Sequence, residues 1–380
     1  MSVVFAKINL DNLKQNFLNL KKFVGDDIKF CALIKANAYG HGSVQIAKSY
    51  AEFGADYLAV ARVDEGEELR KNGINLPILL LGYSDEVKKA LLNDLELCVF
   101  NYEYATTINE IAKSLNLKAK IHIKLDTGMA RLGFVVRDEK SILETTLTCL
   151  KISKLSNIEI VGVFTHFAKS DSADKSFTNL QLKRFNAQIY DFEKNGLKIP
   201  LKHVSNSAAI LDIQTANLNM VRSGIVGFGF YPSDEVKKSV DLKPVMSLYA
   251  MISNIKILKP NTPISYGGVY TTKDYEKIVT ICIGYGDGFL REQNNPEVLI
   301  NNVKCPIVGR ICMDQCMVKV PFDMKVKVGE YATIFDEGEF NASNLAKRCN
   351  TISYEILSLI ASRVKRIYYK DGKNYRLNLS

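Results

Sequence analysis

Lys35 closes the apolar run Phe30–Ile34 and is followed at once by Ala36, Asn37, Ala38, Tyr39, Gly40, His41 and Gly42; an amphipathic pattern then opens at Ser43. A lysine carried by a buried strand to the lip of a turn suits a covalent anchor, an imine formed with an aldehyde. Other reactive or charged side chains recur just past later apolar runs. Lys124 is followed by "DTGMARLG", which contains Arg131; "FTHFAKSD" holds His166 and Asp171; "HVSNSAA" holds Asn206 and Ser207; "VRSGI" holds Arg222, Gly224 and Ile225.

The elements that must position these groups are read from the apolar runs. Those at Lys29–Lys35, Tyr57–Ala61, Pro77–Leu81, Glu96–Phe100, Lys118–Leu125, Ile158–Thr165, Leu201–Val204 and Leu218–Val221 predict buried parallel strands. Helical patterns lie between most of them. "SVQIAKSYAEFG" starts at Ser43 and stops at Gly54, and "DEGEELRKNG" has Asp64 as its expected N-cap with Glu67 three residues on. Eight strands joined by helices predict an α/β chain whose N-terminal part is a (β/α)8 TIM-like barrel. An open doubly wound sheet is the competitor, and the lack of GxGxxG after the first strand argues against a dinucleotide-binding version of it. After Ser233 the texture becomes strands and turns, predicting a C-terminal, mostly β domain with one helix around Thr351–Ser362. The expected domains are 8–235 and 236–380, with residues 1–7 able to join the second.

The 380 residues are 47% hydrophobic and 24% charged, an ordinary globular composition. The net charge of +9 is spread along the chain. Its densest patch, "SRVKRIYYKDGK", reads as a solvated strand edge, not a nucleic-acid surface. No window is apolar enough to cross a membrane, and Lys7 and Asp11 interrupt any signal-peptide core. The eight cysteines are scattered without CxxC pairs and there are only four histidines, so no metal site is expected and a reduced, cytoplasmic setting is. His41 and His203 are expected to bond backbone groups, and His122, inside an apolar run, to be a satisfied core or barrel-lining residue.

Barrel active sites form where the strands end. The loops after the seventh and eighth strands, with Ser207 and the Gly224–Ile225 backbone, suit a phosphate, and a lysine on the opposite wall suits an imine with a phosphorylated aldehyde. Pyridoxal 5'-phosphate has that chemistry. At this point the motifs carry a resemblance. "KANAYGHG", "DTGMARLG", "FTHFA", "NSAA", "MVRSGI", "ISYGGVY", "IGYGDG", "VGRICMDQ" and "TISYE" together resemble the alanine racemase family, in order and over essentially the whole chain.

The resemblance implies an isomerase that interconverts L- and D-alanine, supplying D-alanine for cell-wall peptidoglycan. It implies that Lys35 anchors pyridoxal phosphate and is one catalytic base, that Tyr39, Ser207, Gly224, Ile225 and Tyr354 bind its phosphate, and that Arg131 faces its phenolic oxygen and the substrate carboxylate. Arg222 would hydrogen-bond the pyridine nitrogen, with His166 and Asn206 beside the cofactor. Tyr266 would be the second base, acting in the partner's site of a homodimer, with its ionisation helped by His166. The Met313 backbone would hold the substrate carboxylate. Asp171, Tyr285, Arg291, Arg310 and Ile352 match an entry corridor, and Lys124 matches a lysine that is carbamylated in some relatives. Two bases suit a reaction that removes a proton from one face of Cα and returns it to the other. An arginine against the pyridine nitrogen cannot accept its proton, and so favours simple proton exchange over side reactions. The sequence departs from the family at Gly286, where alanine is usual, at Phe228, where tyrosine is common, and at Lys169 and Ser170. Open alternatives are a serine or broader-specificity racemase, a fold-related pyridoxal decarboxylase (against which Arg222 argues), a non-catalytic pyridoxal-phosphate-binding protein and a metal-dependent hydrolase.

Overall fold

The computed structural model describes residues 2–371 and 373–375. Parallel strands Lys29–Leu33, Tyr57–Val60, Ile78–Leu80, Leu95–Val99, Ala119–Asp126, Ile158–Phe164, Leu201–His203 and Met220–Ser223 lie side by side in chain order. The last of them pairs with the first. The seventh meets the eighth through the Asn219 N–H donated to Lys202 O at 3.1 Å and the Arg222 N–H donated to Ser205 O at 3.0 Å, which closes the barrel. Each strand has the barrel interior on one face and a helical layer on the other, so both faces are dry and the sequence reads as unbroken apolar runs. The expected and observed strands agree to within a few residues.

Alternation along each strand sorts the side chains that fill the interior. Cys31, Tyr57, Ala59, Leu79 and Met220 form one buried apolar cluster. Beside it are polar groups that are equally buried: Glu96, His122, Lys124, His203 and Arg222. Gly162 makes room for them, since a β-carbon there would lie 2.1 Å from His122 Nδ1.

The helix Ser43–Phe53 stops at Gly54, which is left-handed at φ 96°. The helix expected to be capped by Asp64 in fact runs Val63–Lys71. Its capping carboxylate is Glu65, which accepts the N–H groups of Ala61 and Arg62 at 2.8 and 3.0 Å. Asp64 and Glu67 turn outward to Lys89 instead.

A nine-stranded, largely antiparallel sheet forms the second layer. Its strand Val4–Asn9 comes from the chain's beginning and continues past the expected boundary at residue 7. It runs antiparallel to Met246–Leu258 and parallel to Lys365–Lys370. The basic C-terminal stretch is therefore no strand edge. Lys365–Lys370 is flanked on both sides, the second neighbour being Lys373–Tyr375. The helix expected over Thr351–Ser362 is the single short turn Ser353–Ser358. A further helix, Ala342–Arg348, started by Asn341, was not marked by its pattern.

Candidate active site

Lys35 sits at the start of a left-handed turn. Ala36, Asn37, Ala38 and Tyr39 have φ of 52°, 54°, 51° and 52°. For residues other than glycine this conformation costs about 1–2 kcal/mol each, so the turn persists only because its surroundings hold it. Glu65 Oε1 accepts the Ala36 N–H at 2.6 Å. Asn37 Oδ1 accepts the Ser43 N–H at 2.8 Å, and the Ser43 hydroxyl donates to Glu68 at 2.7 Å. The β domain supplies the rest: Arg366 Nε donates to Gly40 O at 2.9 Å and Tyr368 OH to His41 O at 3.1 Å. Through its left-handed run the turn delivers Tyr39 back under the strand end.

A cavity of about 610 Å³ opens at this end of the barrel, and Lys35, Tyr39, His166, Asp171, Asn206, Ser207, Arg222, Gly224 and Tyr354 all line it. Five of the sequence motifs are thereby brought to one place. At one end the hydroxyls gather. Ser207 Oγ accepts the Gly224 N–H at 3.1 Å and is hydrogen-bonded to Tyr354. A β-carbon on Gly224 would lie 2.9 Å from Tyr39 OH and 3.3 Å from Ser207 Oγ, so the bare glycine keeps that corner open. Burial holds both phenols far above their usual range, and they remain neutral donors. Ile225, fully buried, begins the short turn behind Gly224. Asn206 Oδ1 is taken by Ala209 N–H and the Ser170 hydroxyl.

At the other end the charges are nearly all positive. Burial, then the field of Arg131, lowers Lys35, partly offset by Glu65. Lys124 is 5% exposed, with its ammonium 4.2 Å above the Phe164 ring. Burial and Arg222 bring it down to about 7. Burial likewise pulls Arg222 down to about 10, which leaves it charged at neutral pH. His166 is held neutral by burial and by the cations Arg222, Lys124, Arg131 and Lys35 around it. Arg131 is presented by the loop after Asp126, whose carboxylate accepts the Gly128 and Ala130 N–H groups at 3.0 Å each and pairs with Arg137 at 3.0 Å. Among the described residues none of Lys35, Lys124, Arg131 and Arg222 has an ion-pair partner. These cations outnumber the carboxylates of Glu65 and Asp171 that line the cavity, and the excess favours anions.

Arg222 is more completely satisfied than its sequence context suggests. Its Nη1 donates to His203 Nδ1 and His203 O, both at 2.9 Å; its Nη2 donates to Thr165 O at 2.8 Å and Val204 O at 3.0 Å, with His166 Nδ1 at 3.5 Å. Among the described residues no acceptor meets its Nε–H, and Arg222 lines the cavity. His203 therefore bonds Arg222 with its ring, not the backbone as expected. His41 does bond backbone, with Ala38 O and Tyr39 O at 3.0 and 2.9 Å from Nδ1, and its ring stacks on Phe228 at 4.3 Å. Glu65, a lining residue and the clamp on Ala36, was missed because the sequence offered four neighbouring acids for the helix cap.

The single chain does not bring Tyr266 to Lys35's cavity. Tyr266, 69% exposed, lines a separate open cleft with Cys312, Met313 and Asp314. Arg310 and Tyr285 belong to this region: Ser265 Oγ donates to Arg310 O at 2.7 Å, and the Tyr285 N–H donates to Cys312 O at 3.1 Å. Arg291 and Ile352 are exposed, as are Met313 and Tyr285. Gly286 has a visible use here. A β-carbon on it would lie 2.6 Å from Arg363 Nη2, and Arg363 ties the two loops by pairing with Asp287 at 2.7 Å and Asp314 at 2.8 Å. Gly286→Ala is expected to push the guanidinium off Asp314, loosening the Met313 loop and raising KM for substrate about two- to fivefold, as steady-state kinetics would measure, with under about 1 kcal/mol of stability lost.

The fold is a closed parallel barrel with a lysine-lined cavity where its strands end. Comparisons with known proteins give it a family. Residues 8–232 match the alanine racemase N-terminal domain and 245–368 the alanine racemase C-terminal domain. The alanine racemase of Methanococcus maripaludis is 44% identical over 96% of this chain and 98% of its own. The structure of an alanine racemase from Clostridium difficile superposes with a TM-score of 0.96 at 45% identity, covering 100% of this chain and 98% of that one. That from Bacillus anthracis with bound L-Ala-P gives 0.92 at 36% identity, covering 99% and 97%. The chain belongs to the alanine racemase family, whose members are isomerases. No described helix is long and apolar enough to cross a membrane.

Proposed function

We propose that this protein is a cytoplasmic, pyridoxal-phosphate-dependent alanine racemase that works as a homodimer with shared sites and supplies D-alanine for peptidoglycan. The observation that carries the reading is the cavity's polarity: neutral hydroxyl donors around bare Gly224 at one end, and an excess of cations, only partly offset by Glu65, around Lys35 at the other. Pyridoxal phosphate fits both ends. Tyr39, Ser207, Tyr354 and the Gly224–Ile225 backbone would hold its phosphate, Arg131 its phenolic oxygen, the Arg222 Nε–H its ring nitrogen and Lys35 its aldehyde carbon. When bound, it supplies an electron-withdrawing ring that acidifies the substrate Cα proton.

The chain's own groups do the rest. Lys35, already poised toward the neutral amine by burial and Arg131, takes or gives the proton on one face of Cα. Arg131 and the Met313 backbone orient the substrate carboxylate. Tyr266 and Met313 stand exposed on the β domain, and a second copy of the chain would bring them over Lys35 and His166, with Asp171, Tyr285, Arg291, Arg310 and Ile352 lining the way in. Ionising a tyrosine near neutral pH costs about 4 kcal/mol unless its surroundings help, and the cation-rich cavity around neutral His166 would help.

The test is solvent-deuterium exchange at Cα of L- and D-alanine, with chiral analysis and serine as the competing substrate. Exchange with inversion of alanine supports the reading; exchange of serine alone would replace it. A second expected outcome concerns Lys124. At about 7 a large fraction is neutral amine at physiological pH, which can add to carbon dioxide with loss of one proton. The carbamate so formed would be favoured by the positive charges of Arg222 and Arg131, both of which act on Lys124. With 13C-labelled carbon dioxide, the protein is expected to show a carbamate carbon by NMR, absent in Lys124→Arg.

A further inference from the structure

Three ionisable side chains of the barrel interior take no part in the mechanism above: Glu96, His122 and His203. They form an unbroken line behind Arg222. Arg222 Nη1 lies 2.9 Å from His203 Nδ1, His203 Nε2 lies 2.9 Å from His122 Nδ1, and His122 Nε2 lies 2.8 Å from Glu96 Oε2. Glu96 is 4% exposed, and both imidazoles and Arg222 are buried too.

The proton positions along this line follow from chemistry alone. A guanidinium only donates. His203 Nδ1 must therefore accept, so its proton is on Nε2 and is donated to His122 Nδ1. His122 must then carry its proton on Nε2 and donate it to Glu96. Glu96 accepts, and Tyr57 is a second hydrogen-bond partner for it. Every ring is neutral, Glu96 is the anion, and all the hydrogen bonds point the same way. Hydrogen bonds aligned in one direction polarise one another. The line also explains why three polar residues sit in a barrel interior otherwise filled by Cys31, Tyr57, Ala59, Leu79 and Met220.

We propose that Glu96, His122 and His203 are positioning residues that set the strength of Arg222 as a hydrogen-bond donor toward the cavity. The line brings the negative charge of Glu96 to the far side of the guanidinium and so weakens the pull of its Nε–H on a ring nitrogen placed against it. This rests on the reading of the cavity as a pyridoxal-phosphate site. The consequence is control over the fate of the substrate: the weaker the pull, the more briefly the deprotonated substrate persists, and the fewer of its protons are lost to solvent without inversion.

Two measurements test this. The chain holds only four histidines, so 15N NMR of the ring nitrogens can assign each. Wild type near neutral pH is expected to show His122 and His203 neutral and protonated on Nε2; an Nδ1-protonated ring or an imidazolium at either position overturns the proposal. The second compares Glu96→Gln, whose amide oxygen can still accept from His122 but carries no charge, with wild type. The ratio of Cα solvent exchange to inversion is expected to rise about tenfold, the effect of one pK unit, with KM for alanine unchanged and Glu96→Asp returning toward wild type. A purely structural role would lower exchange and inversion together. A folded Glu96→Gln with an unaltered ratio overturns the proposal, and if that variant does not fold the tautomer measurement on wild type decides alone. A wild type that exchanges no alanine would instead sink the proposed function, and the tautomers would still report on the line itself.

Discussion

Tyr266→Phe is expected to lower inversion of alanine by about a thousandfold while leaving measurable Cα exchange from one enantiomer. A positioned general acid or base typically contributes 10²–10⁴ in rate, and inversion needs both faces served. Removing the phenol silences one face only. Lys35 would still remove and return a proton on its own side, so the enantiomer that offers its proton to Lys35 keeps exchanging without inverting. Stability should change little, because Tyr266 is 69% exposed. The same substitution tests the shared site. If Tyr266 serves the partner, mixing Tyr266→Phe chains with Lys35→Ala chains should restore activity, since each mixed dimer then has one site with both bases intact. If Tyr266 served its own chain, every site in the mixture would carry a lesion and nothing would be restored. Normal inversion by Tyr266→Phe alone would remove it from the mechanism.

Lys35→Ala is expected to have the largest effect of all, at least about 10⁴-fold on turnover, because one side chain would be asked both to hold the cofactor and to move the proton. Borohydride reduction followed by mass spectrometry should find a cofactor adduct on wild type and none on the variant. The fold should survive. Lys35 has no ion-pair partner among the described residues, and the nearby Arg131 disfavours its charge, so deleting it removes a repulsion. A variant that keeps its thermal midpoint and loses its adduct fits the role; one that keeps its activity refutes it.

Much of this was legible because barrel strands announce themselves. Dry on both faces, they read as apolar runs, and the polar residue that ends each run is where the strand meets the cavity; Lys35, His166, Ser207 and Arg222 were found in that way. The helix cap was misplaced because Asp64, Glu65, Glu67 and Glu68 crowd together, and only the tertiary fold shows that Glu65 alone reaches the turn at Ala36. Of the Glu96–His122–His203 line the sequence showed only His122, expected as a satisfied core or barrel-lining residue; its partners were not legible. The line's members sit on three different strands, and it exists only once the barrel is closed. Tyr266 and Met313 were legible only through family resemblance, since in one chain they lie on exposed surface away from Lys35.

The strand Lys365–Lys370 gives the protein a property that belongs to its biosynthesis. Arg366 and Tyr368, which grip the left-handed turn at Gly40 and His41, follow all eight barrel strands in the chain, and the strand carrying them must slot in beside Val4–Asn9, which precedes them all. A nascent chain can complete all eight barrel strands and still lack the grip that holds its lysine in place. A chain that stops after the barrel would lack the Arg366 and Tyr368 contacts to Gly40 and His41. The grip on the lysine's turn is in this sense the last part of the fold to be supplied, set only when a strand that follows the barrel meets the one that precedes it.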